Sequence, residues 1–130
     1  MATLLVADDD DNARLLVRTV LSHAGHAVLE AKTGIEALAC AASSRPDLIL
    51  LDLSMPAMSG AEFVRALRAD ARTKGIAVAL YTATPSSAAL RDFMEIYGIA
   101  HVIPKPSEPL ELTAAVERAL GAPGSARPQS

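Results

Sequence analysis

Two short apolar runs in this chain, Leu48-Ile-Leu-Leu51 and Val78-Ala-Leu-Tyr81, contain no polar alternation. A strand with one face in water carries polar residues at every second position, so these two read as strands buried on both faces, as in a parallel sheet covered by helices. They lie within the runs 47–51 and 76–82; three further runs occupy residues 3–7, 26–31 and 100–103. Each is followed by a stretch with helical spacing of its apolar residues. Five strand-helix units joined by right-handed crossovers predict a three-layer α/β domain.

The helix boundaries are marked by capping chemistry. Ala13, Leu16, Val17, Val20, Leu21 and Ala24 form the apolar stripe of the first helix, and Gly25 supplies its stop. Thr33-Gly-Ile-Glu36 and Ser59-Gly-Ala-Glu62 read as capping boxes that start the second and third helices. Thr84-Pro85 is the expected start of the fourth, with Leu90, Phe93, Met94 and Tyr97 facing inward and Gly98 closing it. Pro109 opens the last, which runs to about Leu120. The expected domain is therefore residues 1–120, and residues 121–130, rich in Gly, Pro and Ser, read as a flexible tail or linker.

Composition narrows the class. With 51% apolar and 21% charged residues in 130, the chain can bury a core and lies far from the composition of disordered segments. A single cysteine, Cys40, excludes an intramolecular disulfide and reads as a small buried hydrophobe. His23, His26 and His101 lack zinc-site spacing, and His23 and His26 are expected in a solvated turn. The first residues carry no basic segment and meet aspartates early, so neither a signal peptide nor a membrane span is expected, and a reducing cytoplasmic setting fits. The net charge of -3 is local: residues 8–11 are all aspartate, and without them twelve basic residues face eleven acidic ones. Without Trp, and with 3% aromatics and no basic stretch, the chain lacks the footprint of a direct nucleic-acid binder.

In an open parallel sheet, ligands bind beyond the carboxyl ends of the strands. The residues ending the runs are Asp8 and Asp9, then Asp52, Thr82 and Lys105. Three carboxylates at one edge repel one another unless a cation intervenes, and hard oxygen donors with open positions suit Mg2+. A carboxylate beside Mg2+ and a lysine is a plausible phosphoryl acceptor, because both cations stabilise the equatorial oxygens of the transferring group. Asp52, ending a buried strand and followed by an open loop, is the best nucleophile. Asp10 and Asp11 read as helix caps and dipole partners instead.

Val6-Ala-Asp-Asp-Asp, Leu48-Ile-Leu-Leu-Asp-Leu-Ser-Met-Pro-Ala-Met-Ser-Gly60, Tyr81-Thr-Ala83 and Lys105-Pro106 together resemble the receiver domain of bacterial two-component response regulators. The resemblance spans residue 3 to about 120. It implies a flavodoxin-like (βα)5 fold, a doubly wound parallel five-stranded sheet in the order 2-1-3-4-5. It implies that Asp52 is the phosphoacceptor, that Asp9 is a direct Mg2+ ligand and Asp8 one acting through water, and that the Ser54 carbonyl completes the protein ligands. Thr82 and Lys105 would bond the phosphoryl group, and Lys105-Pro106 would be a cis bond. The distances to Arg14 and Gly25 set the register within the aspartate run. A histidine kinase or phosphotransfer protein would be the donor, and the product a phosphorelay switch with slow autodephosphorylation rather than an enzyme. Thr82, Ala83, Thr84, Val102 and Pro106 would carry the change to a downstream partner or linked effector, and an activation-linked homodimer fits the same resemblance.

Val102 departs from the family, which usually has an aromatic there that swings inward on activation, and Pro104 and Ser107 depart near it. Two other readings use the same residues. Asp8-x-Asp10 is similar to the acid pair of haloacid-dehalogenase-like phosphatases, which would make Asp8 the nucleophile but leave Asp52 and Lys105-Pro106 unexplained. A receiver-like interaction module that is never phosphorylated would leave every chemical position filled to no purpose.

Overall fold

The computed structural model describes residues 2–53, 58–83, 86–105 and 107–121. Each apolar run forms a strand: β1 (Thr3–Ala7), β2 (Ala27–Ala31), β3 (Leu48–Leu51), β4 (Ala77–Thr82) and β5 (His101–Pro104). Between and after them lie α1 (Asp11–His23), α2 (Gly34–Ser44), α3 (Gly60–Ala69), α4 (Ala88–Tyr97) and α5 (Pro109–Gly121). All four neighbouring strand pairs are parallel, and the order across the sheet is β2-β1-β3-β4-β5. Both the class and the strand order match the sequence expectation.

The period of two along each strand divides the core. Leu4, Val6, Leu48, Leu50, Ala79 and Tyr81 pack with Val17 and Leu21 of α1 and Leu112 and Val116 of α5. Leu5, Ala7, Ile49, Leu51, Val78 and Leu80 pack with Ala37 and Ala41 of α2, Phe63 and Leu67 of α3 and Leu90 of α4. Unbroken apolar sequence is thus what a strand needs when it has a helical layer on either side. Half-buried Cys40 packs against the second of these clusters, a partial version of the buried site expected for it.

Local chemistry sets most helix ends. The Ser59 hydroxyl accepts from Glu62 N–H at 3.1 Å while the Glu62 carboxylate accepts from Ser59 N–H at 3.0 Å, a complete capping box. At α2 the Thr33 hydroxyl caps Glu36, but the Glu36 carboxylate reaches one residue further back, to Lys32 N–H. Gly25 and Gly98 both adopt positive φ, +98° and +67°, where a side chain would be strained.

Besides the incomplete capping box at α2, three expectations need correction. The helix α4 starts at Ala88, capped by the Ser87 hydroxyl accepting from Leu90 N–H at 3.1 Å. Several hydroxyls precede its apolar stripe, and the one chosen is that which seats Leu90 in the core; Thr84 and Pro85 lie outside the described residues. In α1 the buried face runs through Arg14, Val17 and Leu21, and Leu16 and Ala24 are exposed. Arg14 is drawn inward by acceptors on three sides: Glu30, Asp11 and the Asp8 carbonyl. This turns Leu16 away. His26 is buried rather than solvated. Its Nδ1 accepts from Ala2 N–H at 3.1 Å, which assigns the ring proton to Nε2, and Nε2 donates to Glu117 of α5 at 2.9 Å.

Candidate functional site

The strand order reverses between β1 and β3: from β1 the chain crosses to β2 on one side, then returns to β3 on the other. Helices α1 and α2 leave on opposite faces, so the carboxyl ends of β1 and β3 are left open. Asp8 and Asp52 are the residues that follow those two strands. Asp8 N–H donates to Ala31 O at 3.1 Å, Asp52 N–H to Ala7 O at 3.0 Å and Lys105 N–H to Thr82 O at 2.8 Å. Asp8, Asp52 and Lys105 each therefore extend the sheet ladder by one bond, which anchors their backbone to the neighbouring strand.

The side chains converge. Lys105 Nζ stands 3.0 Å from Asp8 Oδ2 and 3.3 Å from Asp52 Oδ2. Asp8 and Asp52 are buried, at 1% and 4% exposure, whereas Asp9 is exposed. Carboxylate oxygens of Asp8, Asp9 and Asp52 all lie within 4.8 Å of one another, a set of hard donors that could hold a divalent cation. Burial pushes the Asp8 carboxyl above its ordinary value; the Asp10 N–H and Lys105 pull it back, and the Asp52 charge adds to the rise. Burial works against the Lys105 ammonium, but the two carboxylates outweigh it and hold its pKa above the ordinary lysine value. A cluster with this charge imbalance accommodates a further cation more readily than a further anion.

Arg14 was missed as part of this site. Its Nη1 donates to the Asp8 carbonyl at 2.8 Å and its Nη2 to Asp11 at 2.6 Å, bracing the turn that presents the acids. The available signal was an arginine in register with Val17 and Leu21 on an otherwise apolar face. Asp10 and Asp11 behave as expected: Asp10 caps α1 by accepting from Asn12 and Ala13 N–H, and Asp11 pairs with Arg14. The capping role commits Asp10, the second acid of the phosphatase-like pair, to the helix.

Thr82 ends β4 half-buried and Ala83 is exposed beyond it. With Asp52, Lys105, Ala61, Leu90 and Phe93 they line a cavity of about 630 Å³. Val102 is half-buried against the core beneath α4. Ser54, Thr84 and Pro106 lie outside the described residues.

Residues 4–117 match the response regulator receiver domain family. The chain belongs to that family. It is 35% identical over 118 residues to the phosphate regulon transcriptional regulatory protein PhoB of Pseudomonas aeruginosa, covering 91% of this chain and 51% of the relative. The chain thus spans about half the length of that regulator. Among solved structures, the chemotaxis protein CheY4 of Vibrio cholerae superposes with a TM-score of 0.85 at 34% identity, covering 92% of this chain and 98% of that one. The receiver domain of a Pseudomonas aeruginosa sensor histidine kinase, solved with a magnesium ion coordinated in its active-site cleft, shares the fold at 24% identity and a TM-score of 0.82, over 93% and 98% of the two chains. Receivers are signalling switches rather than enzymes in the usual sense. No helix among the described residues is long and apolar enough to cross a membrane.

Proposed function

We propose that this receiver accepts a phosphoryl group on Asp52 from a histidine kinase or phosphotransfer protein, in a Mg2+-dependent reaction, and switches conformation toward a partner or linked effector. The observation that carries it is the lysine bridge: one ammonium within 3.3 Å of two buried carboxylates at the open switch point of the sheet. An Asp52 oxygen attacks phosphorus, the bond from phosphorus to the donor nitrogen breaks, and the donor imidazole leaves. Lys105 follows the transferred group, exchanging its Asp52 contact for a phosphoryl oxygen, and the Thr82 hydroxyl donates to another. Water later cleaves the acyl phosphate in a slow self-directed step that resets the switch.

Asp9 and Asp52 are the proposed direct ligands of Mg2+, with Asp8 acting through water and the Ser54 carbonyl completing the set. When bound, Mg2+ would neutralise the charge of the acids and of the incoming phosphoryl oxygens. The magnesium of the Pseudomonas aeruginosa sensor-kinase receiver is consistent with this assignment on the shared fold.

A small-molecule phosphodonor tests the reading. Intact mass should show one added phosphoryl group with Mg2+ present, and Asp52→Asn should remove it completely. A label that survives Asp52→Asn and is lost in Asp8→Asn would instead support the phosphatase-like chemistry.

A further inference from the structure

Lys105 Nζ has a third neighbour besides the two carboxylates: it lies over the ring of Tyr81, 5.4 Å from the centroid. Tyr81 precedes Thr82 on β4, but its side chain belongs to the opposite face of the sheet. It is 5% exposed, in the cluster with Val6, Leu50 and Ile103. The ammonium thus contacts both the acids at the sheet edge and a ring that belongs to the core layer. A cation within about 6 Å of an aromatic centroid is attracted to the ring face, more strongly as water is withdrawn. The Lys105 side chain is only a quarter exposed.

The ring differs from the acids in one chemical respect. Carboxylate oxygens can be claimed by a metal ion, and one of Asp52's becomes the bridging oxygen of an acyl phosphate when the phosphoryl group arrives; an aromatic face takes part in neither. We propose that Tyr81 is a positioning residue for phosphoryl transfer, its ring holding the Lys105 ammonium at the switch point while the lysine's anionic partners change. This inference rests on the acceptor chemistry proposed above and adds to it a residue that never touches the phosphoryl group. Without the ring, the four-carbon stem of Lys105 regains rotamers that carry Nζ toward solvent.

The chain has three lysines, Lys32, Lys74 and Lys105, so the ε-methylene resonances are simple to assign. In the unphosphorylated wild type the Lys105 ε-methylene protons should be shifted upfield of the other two by the ring. Tyr81→Phe should keep that shift and the wild-type rate of Asp52 labelling by a small phosphodonor. Tyr81→Leu should lose the shift and label roughly threefold to tenfold more slowly. Tyr81→Met, unbranched and closer in length, repeats the test if the leucine variant fails to fold. Wild-type labelling in a folded Tyr81→Leu or Tyr81→Met, or equal slowing in Tyr81→Phe, would overturn the proposal. A wild type that takes no label would refute the acceptor reading instead; the ε-methylene shift then judges the ring contact alone, and its persistence in Tyr81→Leu would overturn it.

Discussion

The two edges of the sheet treat ionisable groups in opposite ways. At the amino edge several are matched one to one with a nearby partner. Asp47 and Thr3 exchange two hydrogen bonds, of 2.9 and 2.7 Å. His26 joins Ala2 to Glu117, and Arg68 donates to the carbonyls of Lys74 and Ile76. Asp70 pairs with Arg72 two residues away, and hydrogen bonds from that arginine hold its carboxyl at about 2. At the carboxyl edge two buried carboxylates share one lysine with the exposed Asp9 carboxylate within 4.8 Å of both, and burial raises Asp8 where pairing lowers Asp70. Matched charges close loops and hold the fold. Crowded like charges destabilise it locally and leave a site that a cation can relieve.

On that contrast, removing an ionisable group has opposite consequences at the two edges. The largest effect should come from Mg2+: at a hundredfold excess over its Kd, binding stabilises the native chain by about 2.7 kcal/mol. Thermal unfolding with and without Mg2+ reads this, and Asp9→Ala should abolish it. At the amino edge, His26→Ala strands the Ala2 N–H and empties a buried position, so it should cost about 2 kcal/mol in chemical denaturation while leaving Asp52 labelling unchanged.

At the carboxyl edge, with metal chelated, Asp8→Asn should be stabilising by on the order of 1 kcal/mol at neutral pH, since Lys105 keeps Asp52 as a partner. The pH dependence has a definite sign. Because Asp8 is raised, the native state keeps its proton to higher pH than the unfolded chain does. The wild type therefore loses stability as pH rises from 3.8, the unfolded value, through the folded one, and the advantage of the asparagine variant grows over that window.

The smallest effect should be that of the solvated Asp70. Its folded pKa is depressed, so its contribution is present above 3.8 and lost as pH falls through about 2. Carbon-detected titration should find that low value, and Arg72→Ala should return it toward 3.8 with little change in thermal midpoint.

Particular residues show how much was readable beforehand. Strand β3 was legible because four consecutive apolar residues cannot face water, and Ser59 with Glu62 announced α3 because both halves of that cap lie within four residues. The convergence of the candidate residues Asp8, Asp9, Asp52, Thr82 and Lys105 on one edge was legible for a related reason: each stands at or just beyond the end of its apolar run, and in a parallel sheet all such ends share one edge. Thr84-Pro85 misled because local capping chemistry offered several equivalent hydroxyls, and the choice depended on where Leu90 met the core.

Periodicity, strand ends and caps are properties of neighbours along the chain, so the sequence by itself determined the layers, the edge bearing the acids and the candidate acceptor. Contacts between residues far apart in the chain were decided only by tertiary structure. Lys105 meets Asp8 across 97 positions, and His26 meets Glu117 across 91. Arg14 turns inward because Glu30 waits on β2. Tyr81 lies under Lys105 because β4 and β5 pair in a register that no local pattern encodes. Polar groups are buried only where a partner offsets their lost hydration, and a sequence does not show the partner until the chain has folded around it.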